Sequence, residues 1–156
     1  AGKARSLLEF IGQTHQGLGG PLSPAVLSLA QTYAEARATA HLPDKAVLAH
    51  GDGHAANALA SAQGGFKLID PDPLFVEPAY DLGILMREWT QDMLSAPPLQ
   101  NGRARCEALS AATGVDASAI WQWGFLETVS TGLLCVKLEI ADGPEMLQIA
   151  EAWAEA

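Results

Sequence analysis

A Gly-Gly pair at Gly64-Gly65, set between two short apolar runs, constrains this chain more than any other feature. Glycine reaches positive φ angles without steric penalty, so the pair marks a tight hairpin turn. It predicts strands at 58–62 and 66–69, with Gln63 and the two glycines at the turn. The hairpin is short, so it returns the chain to the loop that precedes it. That loop reads HGDGHAAN from His50 to Asn57, and the returning strand ends in Ile69-Asp70-Pro71. If the glycines alone make a two-residue turn, Gln63 opposes Phe66 and Leu59 opposes Asp70. Asn57 and Asp70 then share a sheet face, one diagonal apart at about 7–8 Å. A three-residue turn would put them on opposite faces, and the loop would have to twist.

These residue types suit phosphoryl transfer. Asp52 lies between Gly51 and Gly53, which let the backbone fold tightly and a substrate approach closely. A carboxylate so placed can orient a hydroxyl and take its proton, an effect worth about 10²–10⁴ in rate. An amide oxygen from Asn57 and a carboxylate from Asp70 can share a divalent cation at roughly 2.1 Å once both lean inward.

The rest of the chain reads as helices. Leu7, Leu8, Phe10 and Ile11 lie in a helix over 4–16 that stops at Gly17, Gly19 and Gly20. Ser23-Pro24 is an N-cap followed by a first-turn proline, opening a helix to about Ala40. Ala46–Ala49 is a short apolar run into the loop, and Pro71, Pro73 and Pro78 hold an extended segment beyond the hairpin. Apolar spacing predicts a helix from Ala79 to about Leu94, with Leu82, Leu85, Met86 and Trp89 on one face. Pro97-Pro98 ends it, and another helix covers 102–112. Asp116 caps the longest helix, 117–138, whose apolar residues run around most of its circumference, as in a helix buried at the centre of a fold. Pro144 opens a last helix to about Ala154. The expected fold class is mainly α with a small β-hairpin, in a single domain over residues 1–156.

Composition narrows the partners. With a net charge of −9 and no block of Lys or Arg, the chain is not expected to bind nucleic acid. An acidic surface favours a cationic small molecule, or serves solubility alone. No apolar run approaches the roughly 20 residues of a membrane span. Cys106 and Cys135 read as reduced core residues, which points to the cytoplasm.

HGDGHAAN followed by LIDP resembles the catalytic and metal-binding loops of the aminoglycoside phosphotransferase superfamily, which has a protein-kinase-like fold. The downstream EPAYDLGILMREW and AIWQWGFLETVSTGLL resemble its streptomycin 6-kinase and hydroxyurea-resistance kinase branch, so that the resemblance spans about 45–137. It implies Asp52 as catalytic base, Asn57 and Asp70 as magnesium ligands, and ATP as donor. It implies Asp81 as a helix-start brace for the catalytic loop and His50 as a loop anchor. His54 would approach the phosphates or substrate, or serve as an ordered loop histidine; Asp72 and Glu127 are candidate contacts to a cationic acceptor. Gly53 departs from the bulky apolar residue usual in the family. No GxGxxG and no Val-Ala-Ile-Lys-like strand precedes residue 45. The chain therefore corresponds to the C-terminal lobe of such a fold and is expected to be inactive or nearly so by itself.

Two other classes stay open. His50, Asp52 and His54 alternate and on a strand could bind zinc for hydrolysis, although Gly51 and Gly53 make a poor strand. A non-catalytic module could instead bind a partner, or form a homodimer through the face that a nucleotide-binding lobe would cover.

Overall fold

A computed structural model describes residues 2–155. Helix α1 (Gly2–Gly17) and helix α2 (Pro24–Ala40) come first, and the Ser23 side chain caps α2 by accepting from the Val26 N–H at 3.2 Å. Strand β1 (Val47–Ala49) leads into the polar loop, and β2 (Ala58–Ala60) and β3 (Phe66–Leu68) form the hairpin. Strand β4 (Leu74–Val76) follows, then helices α3 (Ala79–Met86), α4 (Thr90–Leu94), α5 (Pro98–Thr113), α6 (Ala117–Lys137) and α7 (Gly143–Ala154). The chain is mainly α-helical with two small antiparallel sheets among the described residues, as its sequence predicts.

The core is built on α6. It packs against α1, α2, α3, α5 and α7, and its residues from Ala119 to Val129 are buried except the partly exposed Gln122. Asp116 caps it, accepting from the Ala119 N–H at 3.1 Å. Glycines set the approach of α3 to α6: a Cβ on Gly83 would lie 2.5 Å from Trp123 Cβ, and one on Gly124 2.6 Å from Met86 Cβ. At the other end, Trp153 of α7 stacks on Trp121, lies against Gly102, and donates to the Pro98 carbonyl at 2.8 Å. Cys106 and Cys135 are free and buried.

The structure departs from the sequence reading in four places. The run at 46–49 and the proline-rich segment pair as β1 and β4, with Leu48 opposite Phe75. The expected helix from Ala79 to Leu94 is divided at Trp89, whose φ of 54° is left-handed and whose side chain is exposed rather than buried. Helix α5 starts at Pro98, so the Pro97-Pro98 pair opens a helix as well as closing one. The hairpin register places Ala58 opposite Leu68 and Ala60 opposite Phe66, not Leu59 opposite Asp70. Ser61 then accepts from the Gly64 N–H at 3.0 Å and donates to the Gly65 carbonyl at 2.9 Å, so the loop is longer than two residues.

Leu48, Phe66, Leu68 and Phe75 on the short strands are exposed. No helix among the described residues is long and apolar enough to cross a membrane.

Substituting Gly83→Ala inserts a methyl where Trp123 leaves no room, so the helices must separate; the expected loss is about 1–3 kcal/mol. Gly12→Ala in α1, where a Cβ meets nothing within 4 Å, should be neutral or gain up to about 1 kcal/mol. Urea denaturation of both variants measures the contrast.

Candidate active site

The loop from His50 to Asn57 has glycines on both sides of Asp52 and little stiffness of its own. It is fixed from below by the first turn of α3. Asp81 Oδ2 accepts from the His50 N–H at 2.8 Å and Oδ1 from the Gly51 N–H at 2.9 Å. Gly51 has a φ of 83°, and a Cβ there would collide with the Asp72 carbonyl oxygen at 1.8 Å, so glycine is required. The Asp72 N–H donates to the His50 carbonyl at 2.9 Å, joining the loop to the segment beyond the hairpin.

His50 is the second anchor. Its Nε2 lies 3.0 Å from the Ile69 carbonyl oxygen, and its Nδ1 accepts weakly from the Asp52 N–H at 3.4 Å. With both ring nitrogens turned to the backbone, His50 has no lone pair for zinc. This argues against the His50/Asp52/His54 zinc reading, and among the described residues no cluster of three His, Cys, Asp or Glu side chains is arranged to hold a metal.

Asp52 carries the exposed carboxylate of the loop. Asn57 Nδ2 donates to the Asp52 carbonyl at 2.9 Å and to Oδ2 at 3.3 Å. His54 Nε2 lies 3.4 Å from Oδ2, and Arg87 Nη2 3.6 Å from Oδ1. Asn57 is itself buried, and its amide nitrogen is committed to Asp52, which leaves Oδ1 as the amide's free acceptor.

Asp70 follows the hairpin in a different register from the one its sequence spacing suggested. The Ile69 N–H donates to the Asn57 carbonyl at 2.9 Å, so the hairpin pairing continues to residues 57 and 69. By strand parity Asp70 would face away from Asn57. Its φ of 54° is left-handed, so the regular strand geometry ends at this residue. The Asp70 side chain is exposed and makes no hydrogen bond or ion pair with the described residues. An amide oxygen and a free carboxylate on adjoining strand ends are hard oxygen donors, a set that fits magnesium.

Beside Asp52 opens a cavity of about 230 Å³, lined also by Asp72, Tyr80, Arg87 and Glu127. Both acids expected near an acceptor therefore reach the same cavity as Asp52. Arg87, in sequence most simply a surface or interface charge on a helix, is mostly buried and central. Its Nε lies 3.5 Å from Glu127 Oε2 and its Nη1 3.8 Å from Glu88 Oε1. The signal for it was a lone arginine at the end of an apolar helix face, which looks the same as a snorkelling surface residue.

Burial raises the Glu127 carboxyl above the ordinary glutamate range, against the pull of the Arg87 guanidinium and Lys3 ammonium. Its favourable share of stability is therefore fullest below that ordinary range and fades as pH rises through the raised value. Burial, then Glu127, likewise holds the Tyr80 phenol protonated far above its usual range.

With this geometry in view, a family model for aminoglycoside/hydroxyurea antibiotic resistance kinases matches residues 22–137. No curated protein and no solved structure gives a match.

Replacing Asp81 by Ala removes two charge-assisted hydrogen bonds, worth roughly 1.5–3 kcal/mol each. Amide exchange at His50 and Gly51 should accelerate at least tenfold, while α6 keeps its protection; unchanged exchange at both amides would mean that the loop is held by something else.

Proposed function

The chain belongs to the aminoglycoside/hydroxyurea antibiotic resistance kinase family, and from that premise we propose that it forms the catalytic lobe of an ATP-dependent small-molecule phosphotransferase. The acceptor is a hydroxyl of an aminoglycoside-like or related small molecule. The observation that carries the reading is the state of Asp52: an exposed carboxylate on a braced loop, held by Asn57 and His54 at the mouth of an acid-lined cavity.

In this reading Asp52 receives the hydroxyl proton and aligns the attacking oxygen. Arg87 and Asn57 keep the carboxylate from rotating away, and Asp81 keeps its backbone fixed. Asn57 Oδ1 and Asp70 would hold magnesium, which would supply charge neutralisation on the donor phosphates. His54, 3.4 Å from the Asp52 carboxylate, would approach the phosphates or the substrate. Asp72 and Glu127 receive a cationic group of the acceptor, in keeping with the net charge of −9.

The Gly-rich loop and strand lysine that complete the phosphate clamp belong to a nucleotide-binding lobe seated on the short strands. The exposed Leu48, Phe66, Leu68 and Phe75 support that placement, because apolar side chains at such exposure gain from being covered.

The test is phosphoryl transfer by the polypeptide that carries these residues together with its nucleotide-binding lobe. Asp52→Ala should lower kcat by about 10²–10⁴ with little change in the KM for ATP. An Asp52→Ala enzyme with undiminished turnover would refute the base assignment.

A further inference from the structure

We propose that the indole of Trp89 is a specificity-determining platform, on which the ring of a cationic acceptor stacks beside the catalytic loop. The proposal rests on the phosphotransfer reading for the kind of molecule bound, and on local geometry for the residue that binds it.

Trp89 separates α3 from α4 with φ 54° and ψ 60°. Only glycine and, less readily, asparagine or aspartate visit that region without marked steric cost, and a bulky aromatic there is an outlier. Its side chain is also 53% exposed. A large apolar group that is both strained and solvated is not explained by packing, and strain of this kind gathers at binding sites.

The chain holds Trp89 in this state deliberately. The Arg105 guanidinium donates to the carbonyls of Met86, at 3.2 Å, and Glu88, which satisfies the end of α3 where the helix breaks. The same guanidinium lies 5.6 Å from the Trp89 ring centroid. One residue thus fixes the backbone break and steadies the indole.

Its neighbours tie that indole to the reacting centre. Arg87 touches Asp52, and Glu88 Oε2 accepts from the Ala55 N–H of the catalytic loop at 3.1 Å. Trp89 lines two cavities. One, of about 490 Å³, it shares with Gly53 and His54 and with Phe66 and Leu68 of the hairpin; the other, of about 330 Å³, it shares with Arg87 and the acids Glu88, Asp92 and Asp142. An exposed indole that shares a cavity with three acids suits a ring that bears ammonium groups. The ring face meets the indole, and the cation is drawn to both the indole π-face and the acids. A ringless acceptor gains nothing from the width of an indole.

Calorimetric titration of the chain with two probes tests this: 2-deoxystreptamine, a diamino ring, and hydroxyurea, which has no ring. Trp89→Asn keeps a residue that accepts the left-handed backbone, and Trp89→Phe keeps a ring. The expected result is roughly tenfold weaker binding of 2-deoxystreptamine to Trp89→Asn, with Trp89→Phe within about threefold of the unaltered chain and hydroxyurea changed less than twofold. Equal affinity of Trp89→Asn and the unaltered chain for 2-deoxystreptamine would overturn the proposal. So would no binding of 2-deoxystreptamine to the unaltered chain, or a parallel loss for both probes. A transfer assay separates the two readings: no phosphate passed from ATP to any hydroxylated amine by the polypeptide that includes its nucleotide-binding lobe would defeat the phosphotransfer reading while leaving the affinity comparison to judge Trp89.

Discussion

Two hydrogen bonds from one carboxylate organise everything functional in this structure. Asp81 accepts from the consecutive backbone N–H groups of His50 and Gly51, and so fixes a loop whose glycines would otherwise let it wander. Because Asp81 sits in the first turn of α3, the loop inherits its position from the packing of α3 on α6. That packing is close because Gly83 and Gly124 present no side chains where the helices meet. Loop geometry, helix contact and glycine placement form one mechanical chain, and a break at any link displaces Asp52.

Charge is arranged around the site with similar economy. A single, mostly buried guanidinium, that of Arg87, stands among Asp52, Glu88 and Glu127. No pair is within ordinary hydrogen-bond distance, so the cluster keeps room for a bound group to compete for its members. The buried Arg87 Nε and Glu127 Oε1 lack hydrogen-bond partners among the described residues. Unpaired polar atoms beside a cavity are costly in the free protein, and a polar ligand would relieve part of that cost.

Much of the architecture was legible because the signals were local. Ser23-Pro24 and Asp116 start helices for reasons of capping and fixed φ, and the all-round apolar pattern of 117–138 left no place for that segment but the centre. The order of Asp52, Asn57 and Asp70 along the chain carried the resemblance to a kinase family that the family model supports. The hairpin register was not legible: Gly64-Gly65 fits a two-residue turn and a longer one, and the choice depends on Ser61 pairing with Gly65. The left-handed φ of Asp70 leaves no mark on composition. The break at Trp89 was hidden for a related reason. No glycine or proline announces it, and the capping comes from Arg105 on another helix. Strands β1 and β4 are three residues each and flanked by prolines, too short for alternation to register. Arg87 could be placed only by knowing which acids surround it in space.

The account stands or falls on whether Asn57 and Asp70 face one metal position beside Asp52. Titration of the isotopically labelled chain with Mn²⁺, followed through paramagnetic broadening of its amide and side-chain NMR signals, addresses this directly. The signals of Asp52, Asn57 and Asp70 should broaden together at the lowest Mn²⁺ concentrations, with those of α7 left sharp. Broadening that spares Asn57 while it reaches Asp70, or that spreads evenly over the acidic surface, would contradict a shared site.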